Sequence, residues 1–160
     1  LMIGQPGCMK QMMDAYAETG GNLISVLEVP RDEVSSYGVI NPGARIESFG
    51  GGALTEVRGL VEKPSVAAAP SNLIISGRYI LQPEVMRVLE TQEKGAGGEI
   101  QLTDAMARMI GDQPFHAVTF AGRRFDCGSK TGFVEATLAL ALERPDMADQ
   151  VRAMMQKMLR

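Results

Sequence analysis

Short runs rich in Val, Ile and Leu alternate along this chain with segments whose apolar residues recur at helical spacing, and that alternation admits few folds. Residues 5–19 read as a helix. Met9, Met12, Met13 and Tyr16 follow the i, i+3, i+4, i+7 pattern of one buried face, and Gly20-Gly21 ends the run. Residues 22–29 read as a buried strand closed by Pro30, and a polar loop, 31–36, leads into Tyr37-Gly38-Val39-Ile40. Residues 46–49 and 57–62 read as paired strands, with the Gly50-Gly51-Gly52 turn between them. Residues 67–70 form a loop of small residues. Residues 72–81 read as a further strand, and Pro83 suits the first turn of a helix carrying Val85, Met86, Val88 and Leu89. Gly95-Ala96-Gly97-Gly98 is the most flexible stretch and precedes a helix with apolar residues at 102, 105, 106, 109 and 110. Residues 115–120 read as a strand and 123–127 as a short strand or turn. The sum is an α/β domain, and the long turns between some strands predict a sheet that is partly antiparallel.

Two helices close the chain, over 131–143 and 146–159. The first is apolar on nearly every side, so it is either deeply buried or part of an interface. The second, opened by Pro145, aligns Met147, Val151, Met154, Met155 and Met158 in one stripe. Such a stripe covers either the chain's own core or a neighbouring subunit. The pair of helices points to a homo-oligomer, since Met side chains adapt their shape to a contact.

With 160 residues, 45% of them apolar, the chain suffices for one ordinary domain or a piece of a larger one. The net charge of -3 lacks the basic excess of a nucleic-acid binder. No apolar run approaches the roughly 18 residues of a membrane span. Cys8 and Cys127 have no zinc-site spacing and are too few for a disulfide scaffold, which suits a reducing cytoplasm. The chain opens on Leu1, without a signal-peptide pattern, and its first residues read as the end of a strand. A fragment lacking its N-terminal part is therefore expected.

Three constellations carry chemistry. In Ser35-Ser36-Tyr37-Gly38-Val39 a polar loop enters a strand at a glycine, which lets a ligand approach the backbone or simply makes a turn. In Val61-Glu62-Lys63-Pro64 a carboxylate that accepts from hydroxyls is followed by a positive point charge. On an extended strand these side chains point to opposite faces, so they share a ligand only if the strand end bends, which Pro64 favours; otherwise they are a solvated strand end. In Phe125-Asp126-Cys127-Gly128 a carboxylate sits at a strand-to-helix junction, where it suits Mg²⁺ or caps the helix that follows. His116, the single histidine, has no partner nearby in sequence and reads as a plain strand residue. The glycine clusters lack the spacing of a P-loop or of Gly-x-Gly-x-x-Gly.

Read in order, the blocks resemble bacterial UTP–glucose-1-phosphate uridylyltransferases (UDP-glucose pyrophosphorylases). They are Val29-Pro30 with Ser35-Ser36-Tyr37-Gly38-Val39-Ile40, then Gly59-Leu60-Val61-Glu62-Lys63-Pro64, Ala69-Pro70-Ser71-Asn72-Leu73 and Gly77-Arg78-Tyr79-Ile80-Leu81. Gly97-Gly98-Glu99-Ile100-Gln101-Leu102-Thr103-Asp104-Ala105, Phe125-Asp126-Cys127-Gly128 and Gly132-Phe133-Val134-Glu135-Ala136 follow. The resemblance covers almost the whole chain.

The resemblance implies a Rossmann-like nucleotide-diphospho-sugar transferase fold, a mixed sheet with flanking helices. It also implies that the chain is the C-terminal, sugar-phosphate-binding portion of one nucleotidyltransferase domain, residues 1–160, without the Gly-rich nucleotide loop and the first metal-binding Asp. By position, Glu62 matches the residue that bonds glucose hydroxyls, and Lys63 the catalytic residue that grips the sugar phosphate. Gly38, with Tyr37 beside it, matches the loop along the sugar, and Asp126 the second Mg²⁺ ligand. Glu99 and Asp104 match the family in type only and read as contacts at a helix start. The implied partners are UTP and glucose 1-phosphate, and the implied reaction gives UDP-glucose and pyrophosphate, with this chain inactive on its own. A non-catalytic sugar-phosphate-binding or regulatory homologue is the alternative.

Overall fold

The computed structural model describes residues 1–49, 52–95 and 98–160. In chain order the elements are β1 (Met2–Ile3), α1 (Cys8–Thr19), β2 (Asn22–Glu28), a 3-10 helix (Arg31–Ser36), β3 (Gly38–Phe49), β4 (Gly52–Glu62) and β5 (Leu73–Ile80). There follow α2 (Glu84–Glu90), α3 (Leu102–Met109), β6 (Phe115–Thr119), β7 (Arg123–Arg124), α4 (Lys130–Glu143) and α5 (Ala148–Met158). Residue contacts divide the chain into two units, Cys8–Ala121 and Leu1–Gly7 with Gly122–Arg160.

In the larger unit β2 is buried along its first five residues with no in–out alternation, the mark of a strand covered on both faces. It pairs parallel with β6 and antiparallel with β5. The hydrogen-bonded order β2-β5-β3-β4-β6 returns to β2, so the mixed sheet closes on itself. The α/β, mixed-sheet expectation holds; the closure adds to it. It passes between β3 and β5 through the pair Val39↔Ile74. Period-two alternation then sorts neighbours to two cores. Ile40 and Ile75 join Ile24, Val26, Met106 and Phe115 on one side. Val39 and Ile74 join Val29, Val34 and Ala69 on the other. The buried Asn22 side chain is fully used: it donates to Gln113 Oε1 at 2.9 Å and accepts from the Gln82 backbone N–H at 2.8 Å. It thereby ties the end of β5 to the start of β6.

Three elements differ from expectation. The helix expected over 5–19 forms over Cys8–Thr19 and buries Cys8, Gln11, Met12 and Ala15, one position off the apolar stripe, while Met9, Met13 and Tyr16 are exposed. Gln11 holds the inward position because its side-chain amide acts like a backbone unit. It accepts from Ala121 N and donates to Ala121 O, both at 3.0 Å. The strands expected to pair over 46–49 and 57–62 do not pair with each other. They lie at opposite ends of one long hairpin, β3 with β4, where Ile46 faces Leu54 and Val57 faces Pro42, because β3 already begins at Gly38 and β4 at Gly52. Pro42 does not stop β3, because the register shifts on either side of it accommodate the missing N–H as bulges. The expected turn residues Gly50 and Gly51, and Ala96 and Gly97 of the second glycine stretch, lie outside the described residues. The polar loop over 31–36 is a 3-10 helix.

In the smaller unit β1 pairs antiparallel with β7, and the Leu1 and Phe125 backbones exchange bonds of 2.8 and 2.9 Å. The guanidinium of Arg123 stacks over the buried Phe125 ring, 4.8 Å from its centre. Helices α4 and α5 pack against each other. Of the two readings of α4, deep burial is excluded within this chain: Ala136 alone among its described residues is buried, and Phe133 and Val134 are 60% and 56% exposed. On α5 the inward residues are Ala148 and Val151, whereas Met154 and Met158 face outward.

Candidate functional site

The larger unit brings Tyr37, Gly38, Glu62 and Lys63 together. Gly38 opens β3 opposite Glu62, the last residue of β4, and the Lys63 backbone N–H donates to Tyr37 O at 3.0 Å. Lys63 has φ 45°, the one non-glycine residue with positive φ among those described. That conformation costs on the order of 1–3 kcal/mol and collects at functional positions. The bend assigned from sequence to Pro64 therefore begins at Lys63 itself, and the strict in–out alternation of β4 ends there. Glu62 is half-buried, and its Oε2 accepts from Thr103 Oγ1 at 2.7 Å. Gly38 is buried against the same group: a Cβ there would lie 3.0 Å from Glu62 Oε2, 3.0 Å from Ile75 Cδ1 and 3.2 Å from Thr103 Oγ1. The nearby Tyr79 phenol is pushed above its ordinary range, first by burial and then by the Glu62 charge. The half-sheltered Glu62 carboxylate can accept from hydroxyls, and the exposed Lys63 that follows it in sequence carries a positive charge suited to an anion.

Asp126 lies in the smaller unit, exposed, in the turn between β7 and α4. It does not cap α4. Ser129 does, accepting from Gly132 N at 3.0 Å, whereas Asp126 Oδ1 accepts from Gly128 N at 3.0 Å in an Asx turn. Among the described residues no three His, Cys, Asp or Glu side chains group closely enough to cage a metal ion. Both cysteines are free, Cys8 buried and Cys127 exposed. His116 sits on β6 opposite Glu56 of β4. Its ring is held below its usual pKa by burial, against the opposing pull of Glu56. A separate cleft of about 600 Å³ runs past Glu56, Arg58, Asp112 and His116 and includes none of the four residues at the β4 end. We place the candidate site at the β4 end, where the positive φ of Lys63 coincides with the bonded Glu62 carboxylate; the cleft holds a half-buried carboxylate of its own, Glu56, but no described non-glycine residue of positive φ.

A family model described as nucleotidyl transferase matches residues 2–143, which takes in both the β4 end and the Asp126 turn. The chain belongs to this family. Within the nucleotidyl transferases it is 48% identical over 150 residues to a UTP–glucose-1-phosphate uridylyltransferase from Staphylococcus epidermidis, an alignment covering 94% of this chain and 50% of that protein. A crystal structure of UDP-glucose pyrophosphorylase complexed with UDP-glucose superposes with a TM-score of 0.81 at 37% identity, over 90% of this chain and 54% of that one. A UTP-bound UDP-glucose pyrophosphorylase from Acinetobacter baumannii gives 0.78 at 34%, over 92% and 49%. The resemblance to this group of nucleotidyl transferases and the fold it implied both hold. The chain spans about half the length of these relatives.

Thr103 escaped the sequence reading. The block Gly98-Glu99-Ile100-Gln101-Leu102-Thr103-Asp104 drew attention for its two acids, yet the residue that reaches the site is the neutral one between them. The available signal was a Thr one residue into an amphipathic helix, on the face of Met106 rather than at the cap.

Proposed function

We propose that this chain carries the sugar-phosphate side of a uridylyltransferase, which joins UTP and glucose 1-phosphate into UDP-glucose with release of pyrophosphate. The observation that carries the reading is the bent Glu62–Lys63 strand end against Gly38, in a chain 48% identical to a protein of that name. Glu62 accepts hydrogen bonds from glucose hydroxyls. The Lys63 ammonium neutralises the sugar phosphate, and Tyr37 and Gly38 form the backbone wall along the sugar. A phosphate oxygen of glucose 1-phosphate attacks the α-phosphorus of UTP. The bond from that phosphorus to the bridging oxygen breaks, and pyrophosphate leaves with its electron pair. Two anions must approach in line, so positioning and charge neutralisation carry the reaction and no protein nucleophile is required.

Asp126 fits as a Mg²⁺ ligand: a hard, exposed carboxylate with one oxygen already oriented by Gly128 N, in a unit without a carboxylate cage. An ion held there takes most of its ligands from phosphates and water and supplies neutralisation of the phosphate oxygens. The chain aligns with 50% of the length of the Staphylococcus epidermidis relative, and on this reading the 160 residues by themselves release no pyrophosphate. Free cysteines support a reducing, cytoplasmic setting. The outward apolar residues of α4 and α5 support a homo-oligomer.

Pyrophosphate release by the full-length protein from UTP and glucose 1-phosphate tests the reading. We expect release that requires both substrates. Calorimetric binding of glucose 1-phosphate with no release would identify a sugar-phosphate-binding regulatory homologue instead, and neither binding nor release would overturn the reading.

A further inference from the structure

We infer that Thr103 is a positioning residue for the sugar site: its hydroxyl fixes the Glu62 carboxylate in the orientation that receives the sugar. The inference rests on the reading of Glu62 as the hydroxyl acceptor. Thr103 is 7% exposed, and its side chain donates to Glu62 Oε2 at 2.7 Å, a length typical of a charge-assisted bond between a hydroxyl and a carboxylate. In a helix, Thr commonly turns its hydroxyl back to a carbonyl three or four residues earlier. Here it reaches across to the strand end instead, and α3 begins at Gln101 without a side-chain cap.

The bond has a partner in the shape of β3. Gly38 leaves the space that the bonded pair occupies, since a Cβ at 38 would crowd both Glu62 Oε2 and Thr103 Oγ1. Three distant stretches of chain therefore converge on one carboxylate oxygen. A carboxylate offers about four acceptor positions, so one bond to Oε2 restrains the group while leaving Oε1 for a ligand. Docking of α3 does not need this bond, because Ala105, Met106 and Met109 already anchor the helix in the core. The hydroxyl thus has a role separable from folding.

The test uses the full-length protein with Thr103→Val, Thr103→Ser, Glu62→Ala and the Thr103→Val/Glu62→Ala double variant. The readouts are kcat and the KM values for glucose 1-phosphate and UTP. Thr103→Val is expected to raise the glucose 1-phosphate KM about tenfold, the scale of a hydrogen bond to a charged group, with the UTP KM within about twofold. Thr103→Ser, which keeps the hydroxyl, is expected to restore that KM. In the Glu62→Ala background the Val change is expected to add less than about twofold, because its partner is gone. Additive losses, or an unchanged KM in Thr103→Val, overturn the inference. Should Thr103→Val fail to fold by thermal melt, Thr103→Ala against Thr103→Ser makes the same comparison, hydroxyl absent against hydroxyl present. If Glu62→Ala leaves the sugar KM unchanged, the sugar-site reading itself falls and the inference with it. If Glu62→Ala raises KM and Thr103→Val does not, only the inference falls.

Discussion

Lys63 holds a backbone conformation that lysine rarely adopts, at the point where β4 ends beside Gly38. If its ammonium meets the sugar phosphate, a charge-assisted contact there contributes about 1.5–3 kcal/mol. Lys63→Ala should then lower kcat/KM of the full-length enzyme by roughly ten- to a hundredfold. The exposed Lys94, screened by water, serves as the control, and Lys94→Ala should change little. Equal, small losses in both would remove Lys63 from the site. His116 makes a second residue-scale prediction. Burial depresses its folded-state pKa, so as pH falls the unfolded chain takes up the proton first. The stability that His116 contributes is present above the unfolded value of about 6.5 and is lost as pH falls through the folded value. Urea midpoints of the chain's single-histidine wild type should drop between about pH 7.5 and 5.5 more steeply than those of His116→Gln. Parallel slopes would show that the ring is not desolvated.

At the scale of elements, the turn before α4 separates two roles that the sequence left open. Ser129 caps the helix, so the Asp126 carboxylate is released from that duty. Asp126→Asn keeps an oxygen for Gly128 N but loses the charge. The Mg²⁺ titration of full-length activity should therefore shift to higher concentration, and an unchanged titration would reduce Asp126 to a turn residue. Helix α5 divides the methionine stripe differently from its sequence pattern: Val151 is buried, while Met154 and Met158 are 45% and 76% exposed. Replacing both by Lys should cost little folding stability, within about 0.5 kcal/mol per exposed site. Light scattering of the full-length variant should nonetheless report a smaller particle if this face joins subunits. A variant of unchanged size ends the oligomer proposal, and one that unfolds before its size changes assigns the stripe to the core. Element types were readable in advance because period and punctuation are local. The inward face of α1 was not, because the pattern counts apolar side chains, and Gln11 is held inward by bonds to Ala121, 110 residues away.

For the molecule as a whole, the decisive experiment is simple. The pure 160-residue chain, given UTP, glucose 1-phosphate and Mg²⁺, should release no pyrophosphate, whereas the full-length enzyme should; turnover by the chain alone would refute the division of labour proposed above. Residue order was enough to find the family and the α/β class, and to single out Tyr37-Gly38 and Glu62-Lys63 as two separate motifs; that the two meet came from the β3–β4 register. Hydrophobic period, turn residues and short motifs are properties of consecutive positions. The closure of the sheet through Val39↔Ile74, the continuation of β3 past Pro42 and the left-handed bend at Lys63 required the folded chain. So did the bond from Thr103 to Glu62, 41 residues apart. Each depends on which distant segments meet. A hydroxyl, a glycine or a lysine carries no mark in the sequence of the partner that gives it a role.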